Sequence, residues 1–368
     1  MKAAVLTGVG ADLEIRDDIE VAAPGPGEAR IQIVASGVCH SDLSVQNGTI
    51  PLPTPIVLGH EGAGIVEEIG EGVTTVAPGD HVVLSFVPRC GECENCTRGR
   101  AYMCEKSAMQ AAGGMLDGTT RLTSGGAALH QMACLGTFGE TAIVPEISLV
   151  KIDDDVPLDR AALIGCGVLT GVGAALNTAS IEPGDTVAVI GCGGVGLNVI
   201  QGARIAGASR IIAVDKFASK LEMAKEFGAT DVVNPDDGDV VGQVMALLGG
   251  KGVHTAFEAI GLEATIMQAV DVVRPGGEAV IVGVPRLDVM LTFNAAFTFL
   301  YLNKSIKGCW YGSADVQRDV PKLIKLWQDG ELKLDELISR EIAIEDVNGA
   351  FTAMESGEVA RSVIRHSH

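Results

Sequence analysis

A chain of 368 residues, 47% of them hydrophobic, is longer than one ordinary core needs and points to two domains. Its formal net charge of −20 and the absence of any Lys/Arg cluster argue against a nucleic-acid or anionic-membrane partner. The 47 glycines follow no period, which implies the many tight turns of an α/β protein and excludes a collagen-like chain.

Residues 1–7 enter a strand-like run with none of the regions of a signal peptide. The longest apolar runs are broken by Gly, Pro or charge short of the about 18 residues that a membrane span needs, so the chain reads as cytoplasmic. Strands are predicted over 3–6, 13–15 and 29–36. The stretch 37–42, Gly-Val-Cys-His-Ser-Asp, then ends a strand and opens a short helix that Ser41 or Asp42 can cap. After a loop containing Pro51, Pro53 and Pro55 come Val-Leu-Gly-His-Glu-Gly-Ala-Gly over 57–64 and an alternating strand over 65–69.

Cys39 and His60 are metal-ligating side chains at strand ends, although either taken alone reads first as a buried thiol or a satisfied core histidine. With Cys166 the set becomes Cys2His, the composition of an open zinc site whose fourth position takes water or substrate. Glu61 can add an exchangeable oxygen or support His60. Nine cysteines in a chain read as cytoplasmic call for metal ligands before disulfides. Cys90, Cys93, Cys96 and Cys104, at C-x2-C-x2-C-x7-C, can wrap one tetrahedral zinc with no position left open, and iron–sulfur runs use other spacings.

The Gly/Ala/Met-rich segment 102–131 reads as a long loop of the kind that is usually functional. Strands return over 137–144 and 149–152. Asp153 to Pro157 then start a helix that carries Cys166 and runs apolar to about residue 179. A strand over 186–190 leads into Gly191-Cys-Gly-Gly-Val-Gly196, a helix over 197–206 and a strand over 210–214 ending at Asp215. This is G-x-G-x-x-G in its full βαβ setting. Gly191 permits the tight turn, Gly193 the approach of a pyrophosphate, and Gly196 the close packing of the helix, with Gly194 and Val195 completing the turn. The helix N-terminus offers free N–H groups to the phosphates. Asp215 can accept both ribose hydroxyls, and a 2′-phosphate would meet like charge there, so NAD is expected over NADP, with Lys220 as a further ribose contact. Helices over 220–227, 240–248 and 264–273 alternate with strands over 231–233, 254–258 and 277–284, the pattern of a doubly wound parallel sheet. From about residue 309 the pattern changes: a helix over 316–329, short segments at 334–338 and 342–344, a helix over 344–356 and a strand over 362–364 that returns to the first domain.

Jointly, 37–42, 59–64, the four-cysteine lobe, 165–167 with Thr170 and Gly171, the glycine turn and Asp215 make the chain resemble the zinc-dependent medium-chain alcohol dehydrogenases along essentially its whole length. The long segment between the four-cysteine lobe and Phe138 is similar to the extended form, in its bacterial, actinobacterial-type version. The resemblance implies a mainly β, GroES-like catalytic domain (1–167 and 311–368) with a structural zinc lobe, and a Rossmann dinucleotide-binding domain (168–310). It implies a catalytic zinc on Cys39, His60 and Cys166, with Glu61 as an occasional ligand and Asp42 hydrogen-bonded to the zinc-bound histidine. Ser41 takes the alcohol proton, His40 and Arg361 lie near the cofactor pyrophosphate, and Thr170 and Val195 pack on the nicotinamide. A homodimer or homotetramer joined through the cofactor domains is implied as well. Two positions depart from the family pattern. Ser44 stands where a relay histidine is usual, and Ala108 stands where glutathione-dependent formaldehyde dehydrogenases carry an arginine.

The expected function is reversible hydride transfer between a primary alcohol, aliphatic or aryl, and NAD, giving the aldehyde. Phe86, Ile50 and Met109 are candidates to line the pocket and read equally as core. Two alternatives remain within enzymes: a formaldehyde dehydrogenase acting on another thiol's adduct, and an alcohol dehydrogenase that keeps its NAD and uses an external acceptor. A non-catalytic NAD-binding protein is the remaining one, but it would have no use for an open zinc site.

Overall fold

The computed structural model describes residues 1–357 and 361–367, the side chains of 108–111 excepted, so Ala108 and Met109 lie outside the described side chains. The chain divides into two compact units, residues 1–166 with 315–368 and residues 167–314. Residues 311–314 therefore fall with the second unit and not, as expected, with the first. The cause is close packing: a Cβ on Gly312 would sit 2.4 Å from the carbonyl oxygen of Leu169 and 2.9 Å from that of Thr170.

The first unit is mainly β. Its central strand, Glu28–Val38, pairs antiparallel with Glu61–Ile69 on one side and Arg361–Arg365 on the other. Thr141–Pro145 also pairs with it, and His81–Leu84, Leu149–Ile152 and Ile338–Ile342 complete that sheet among the described residues. The register sets Gly37 opposite both Glu61 and Val363, which draws residues far apart in sequence to one point. A second sheet runs Glu14–Arg16, Ala3–Leu6, Ile56–Val57, Ala127–Gln131, Leu122–Ser124, Ile19–Val21. It corrects the reading of 102–131 as loop: Leu122–Ser124 and Ala127–Gln131 form a hairpin, reversed by Gly125 and Gly126 at φ 57° and 78°. Two consecutive positive φ values match the right-handed twist of hairpin strands, and only glycine adopts them without strain.

In the second unit Asp231–Val233, Arg210–Val214, Thr186–Ile190, Val253–Glu258, Val273–Ile281 and Ser305–Gly308 form one all-parallel sheet in that order. The run Val-Ala-Val-Ile over 187–190 is buried throughout, as a strand covered on both faces must be. The fifth strand starts and ends earlier than the expected 277–284, and Ser305–Gly308 escaped sequence reading because a four-residue edge strand carries little apolar pattern. The order reverses at Thr186–Ile190, and ligands of such sheets bind outside the carboxyl ends of the strands at that switch point.

One helical run, Leu158–Thr178, is 21 residues long and apolar enough by composition to cross a membrane, where the sequence reading found every apolar run broken short of that length. With 78% of its most apolar stretch buried inside the protein, it is a core element. It widens into π-turns at Ile164–Val168 and Ala174–Thr178, and the first of these carries Cys166. Single π-turns inside helices are frequent at functional sites because they re-aim side chains.

Candidate active site

Cys39 ends the central strand and is the N-cap of helix His40–Gln46. Its backbone N–H donates to Asp42 Oδ2 at 2.9 Å, a reciprocal cap that fixes the first turn. The other oxygen of the same carboxylate accepts from His60 Nδ1 at 2.9 Å and from the Gly59 N–H at 3.2 Å. Asp42 is fully buried, so these bonds replace its hydration. With Nδ1–H donated to Asp42, the unprotonated Nε2 of His60 is the nitrogen left to ligate a metal, and it is buried with no hydrogen-bond partner.

The ligand atoms of Cys39, His60, Glu61 and Cys166, all four residues buried, lie within 4.8 Å of one another. The Cys166 thiol holds Cys39 well below its usual range, against burial and with help from His60. Burial pushes the His60 imidazole down, but the charges of Asp42 and Cys39 outweigh it and raise it to about 10. The buried ring nitrogen, two sulfurs and a carboxylate converge on one place, where a divalent cation would satisfy donors that a single proton cannot bridge. The donor set of two sulfurs, one nitrogen and one carboxylate therefore fits zinc. The Ser41 hydroxyl stands 3.8 Å from Cys39 Sγ, and Phe86 presents its ring edge-on to His60 with centroids 5.5 Å apart.

The four ligand sulfurs of Cys90, Cys93, Cys96 and Cys104 also lie within 4.8 Å of one another. Cys90 Sγ and Cys96 Sγ are 3.8 Å apart. That equals the edge of a tetrahedron with metal–sulfur bonds of about 2.3 Å. Backbone N–H groups of Glu105 and Cys96 hold the Cys93 thiol down to about 6, as expected of a sulfur prepared to ligate.

The second unit builds the glycine turn. A Cβ on Gly196 would stand 1.8 Å from the Gly191 carbonyl, so the helix Gly194–Ile205 can start there only with glycine. Nothing lies within 4 Å of the same probe at Gly193, which leaves room for a ligand to approach the backbone. Asp215 is buried, with Oδ2 accepting from the Cys192 N–H at 2.8 Å and Oδ1 from the Phe217 N–H at 3.0 Å. Burial and the Asp215 charge push the Cys192 thiol up, and the Lys220 charge opposes them.

Two family models match: the alcohol dehydrogenase GroES-like domain over residues 25–154 and the zinc-binding dehydrogenase domain over 194–329. The NDMA-dependent alcohol dehydrogenase of Amycolatopsis methanolica is 41% identical over 368 residues, 100% of this chain and 99% of that one. The chain belongs to the zinc-dependent medium-chain alcohol dehydrogenases. Solved structures agree. The alcohol dehydrogenase zinc-binding domain protein of Burkholderia ambifaria has a TM-score of 0.94 at 36% identity, and the benzyl alcohol dehydrogenase of Acinetobacter calcoaceticus 0.93 at 34%. Each match covers 100% of this chain and 99% of the other.

In this alcohol dehydrogenase the remaining expected residues are placed as follows. Arg361 is buried against Glu61 as an ion pair, a contact created by the pairing of the first and last strands of its sheet. That partner was not foreseen, because 300 residues separate the two in sequence. His40 is exposed on the first turn of its helix, and Ser44 is half-buried one turn after Ser41. Thr170, half-buried, and Val195 lie on the helices Leu169–Gly173 and Gly194–Ile205, which pack together within the second unit. The Lys220 ammonium sits 4.8 Å from the Phe217 ring centroid. Of the three pocket candidates, Phe86 reaches the site, whereas Ile50 packs on the apolar core of the first unit.

Proposed function

We propose that this chain oxidises a primary alcohol, aliphatic or aryl, to the aldehyde with NAD as hydride acceptor, and reduces the aldehyde in reverse. The observation that carries the reading is the buried set Cys39, His60, Glu61 and Cys166 with Ser41 beside it. A zinc ion held by Cys39, His60 and Cys166 supplies Lewis acidity toward an alcohol or carbonyl oxygen. Asp42 keeps the imidazole in one tautomer and orientation. The Ser41 hydroxyl takes the alcohol proton and passes it outward, through Ser44 or water where other members use a histidine. Glu61, its charge balanced by Arg361, is an exchangeable oxygen ligand. Phe86 supplies an apolar wall, which supports aryl and longer aliphatic substrates over sugars. Gly191, Gly193, Gly194 and Gly196 with the helix N-terminus hold the pyrophosphate, and Asp215 the adenosine ribose. A second zinc on Cys90, Cys93, Cys96 and Cys104 is structural.

The test is NAD reduction with benzyl alcohol, hexanol and ethanol on protein of measured zinc content. Turnover is expected at about two zinc ions per chain, and its loss in Cys166→Ser with an unchanged circular-dichroism spectrum. A folded, zinc-loaded protein that turns over none of these alcohols, with or without NDMA, would overturn the proposal.

A second reading keeps the chemistry and retains the dinucleotide, supported by the name of the Amycolatopsis relative. On that reading NAD survives dialysis and turnover appears only when NDMA is supplied. Turnover with free NAD alone eliminates it. The protein is also proposed to be a homodimer or homotetramer. Leu287, Met290, Phe297, Leu300 and Tyr301 of the second unit are exposed, and the edge strand Ser305–Gly308 of the same unit is unpaired on its outer side among the described residues.

A further inference from the structure

Two buried hydroxyls close to the metal set are unused by the function proposed above. Ser36 and Thr137 are each 0% exposed, and their side-chain oxygens lie 2.6 Å apart. The Ser36 hydroxyl donates to the Glu61 carbonyl at 2.9 Å, which commits its one proton, so the Thr137 hydroxyl is the donor to Ser36. The two bonds therefore run in one direction, from Thr137 to Ser36 to the Glu61 backbone. Main-chain bonds bring Thr137 there. Its N–H donates to the Gly59 carbonyl at 3.0 Å, and the next N–H, of Phe138, donates to the Leu58 carbonyl at 3.0 Å.

Thr137 also explains why glycines flank both ligands in Gly-His-Glu-Gly over 59–62. A Cβ on Gly59 would stand 2.5 Å from Thr137 Oγ1, and one on Gly62 would stand 2.6 Å from Thr137 Cγ2. The threonine side chain is thus seated against the backbone on either side of His60 and Glu61. Asp42 already holds the Gly59 N–H and the His60 ring, so the hydroxyl pair adds a third point, the Glu61 carbonyl. A buried polar chain with every member satisfied makes the backbone it holds rigid, and ligand side chains are placed only as well as the backbone that carries them.

We infer that Ser36 and Thr137 are positioning residues of the metal centre, whose hydroxyl chain fixes the His60–Glu61 backbone so that ring and carboxylate meet the thiols of Cys39 and Cys166. This rests on the catalytic-zinc reading proposed above. It assigns the effect to the Thr137 hydroxyl and not to its methyl group.

The experiment is zinc release to a chromogenic chelator from the zinc-loaded protein, as wild type, Thr137→Val, Thr137→Ser and Ser36→Ala. The release phase that is missing in Cys166→Ser belongs to the catalytic ion, and the remaining phase, from the four-cysteine lobe, is the internal control. Thr137→Val keeps the shape and removes the hydrogen bond, so it should speed the catalytic phase by about tenfold or more with the lobe phase unmoved. Thr137→Ser keeps the hydroxyl and should release zinc at the wild-type rate. Ser36→Ala removes both bonds and should speed the catalytic phase at least as much, and adding Thr137→Val to it should change nothing further. A catalytic phase unmoved in Thr137→Val, both phases accelerated together, additive effects of the two changes, or a Thr137→Ser protein as fast as Thr137→Val overturns this inference alone. Release from the wild type identical to that from Cys166→Ser overturns the zinc reading and this inference with it.

Discussion

Asp42 shows how much of the site depends on one side chain. Its carboxylate caps the helix after Cys39, bonds the His60 ring and receives the Gly59 N–H, so it couples both ligand-bearing segments. Asp42→Asn keeps the shape but must present an amide N–H to one of these donors, and His60 loses the acceptor that sets its tautomer. Zinc affinity and kcat/KM are expected to fall by about 10–100-fold, read as faster zinc loss to a chelator and lower turnover at saturating zinc. Unchanged chelator kinetics would mean that the ring is oriented by packing against Phe86 instead. Asp42 was readable in the sequence as a cap and, through the family resemblance, as a partner of His60. The Glu61–Arg361 pair was not readable, since it depends on which strands are neighbours.

At the scale of elements, periodicity found what is long and regular. The strands Thr186–Ile190 and Arg210–Val214 match the sequence expectation residue for residue, because a strand covered on both faces is a continuous apolar run. The hairpin Leu122–Ser124/Ala127–Gln131 was missed: its strands are short, and Ala127 and Ala128 are exposed, so the inside–outside alternation is weak. The Gly125-Gly126 pair was the available signal. Gly126→Val is expected to cost about 1–2 kcal/mol, seen as a lower thermal midpoint of the zinc-loaded protein, with a smaller loss for Gly126→Asn. Equal midpoints for all three proteins would show that the turn is not held in this conformation. The π-turn at Cys166 was likewise invisible, because one extra residue in a helical turn leaves apolar composition unchanged.

At the scale of the whole molecule, the exposed apolar stretch of the second unit is the feature that a lone chain leaves unexplained. Leu287 is 85% exposed and Leu300 73%, side chains whose transfer from water favours association. Light scattering after size exclusion is expected to give a dimer or tetramer. The double variant Phe297→Glu/Leu300→Glu should shift the mass toward one chain, because it sets like charges in an apolar face. A wild-type protein that elutes with the mass of one chain would sink the oligomer proposal. Nothing in Phe-Thr-Phe-Leu-Tyr over 297–301 distinguishes an exposed apolar run from a buried one, so the sequence does not mark this face.

The sequence by itself determined the chemistry-bearing sets. Metal-ligand spacing in the four-cysteine lobe, the glycine turn between strand and helix, and Asp215 at the next strand tip are local patterns, and local patterns survive without a fold. The alternation of helices and strands likewise determined the parallel sheet. Tertiary structure alone decided what depends on strand order and packing. It brought Cys39, His60, Glu61 and Cys166 within 4.8 Å, buried Arg361 on Glu61 through the return of the last strand, and assigned residues 311–314 to the second unit. The physical reason is the same in each case: side chains distant along the chain acquire an interaction energy only when the backbone between them has been placed.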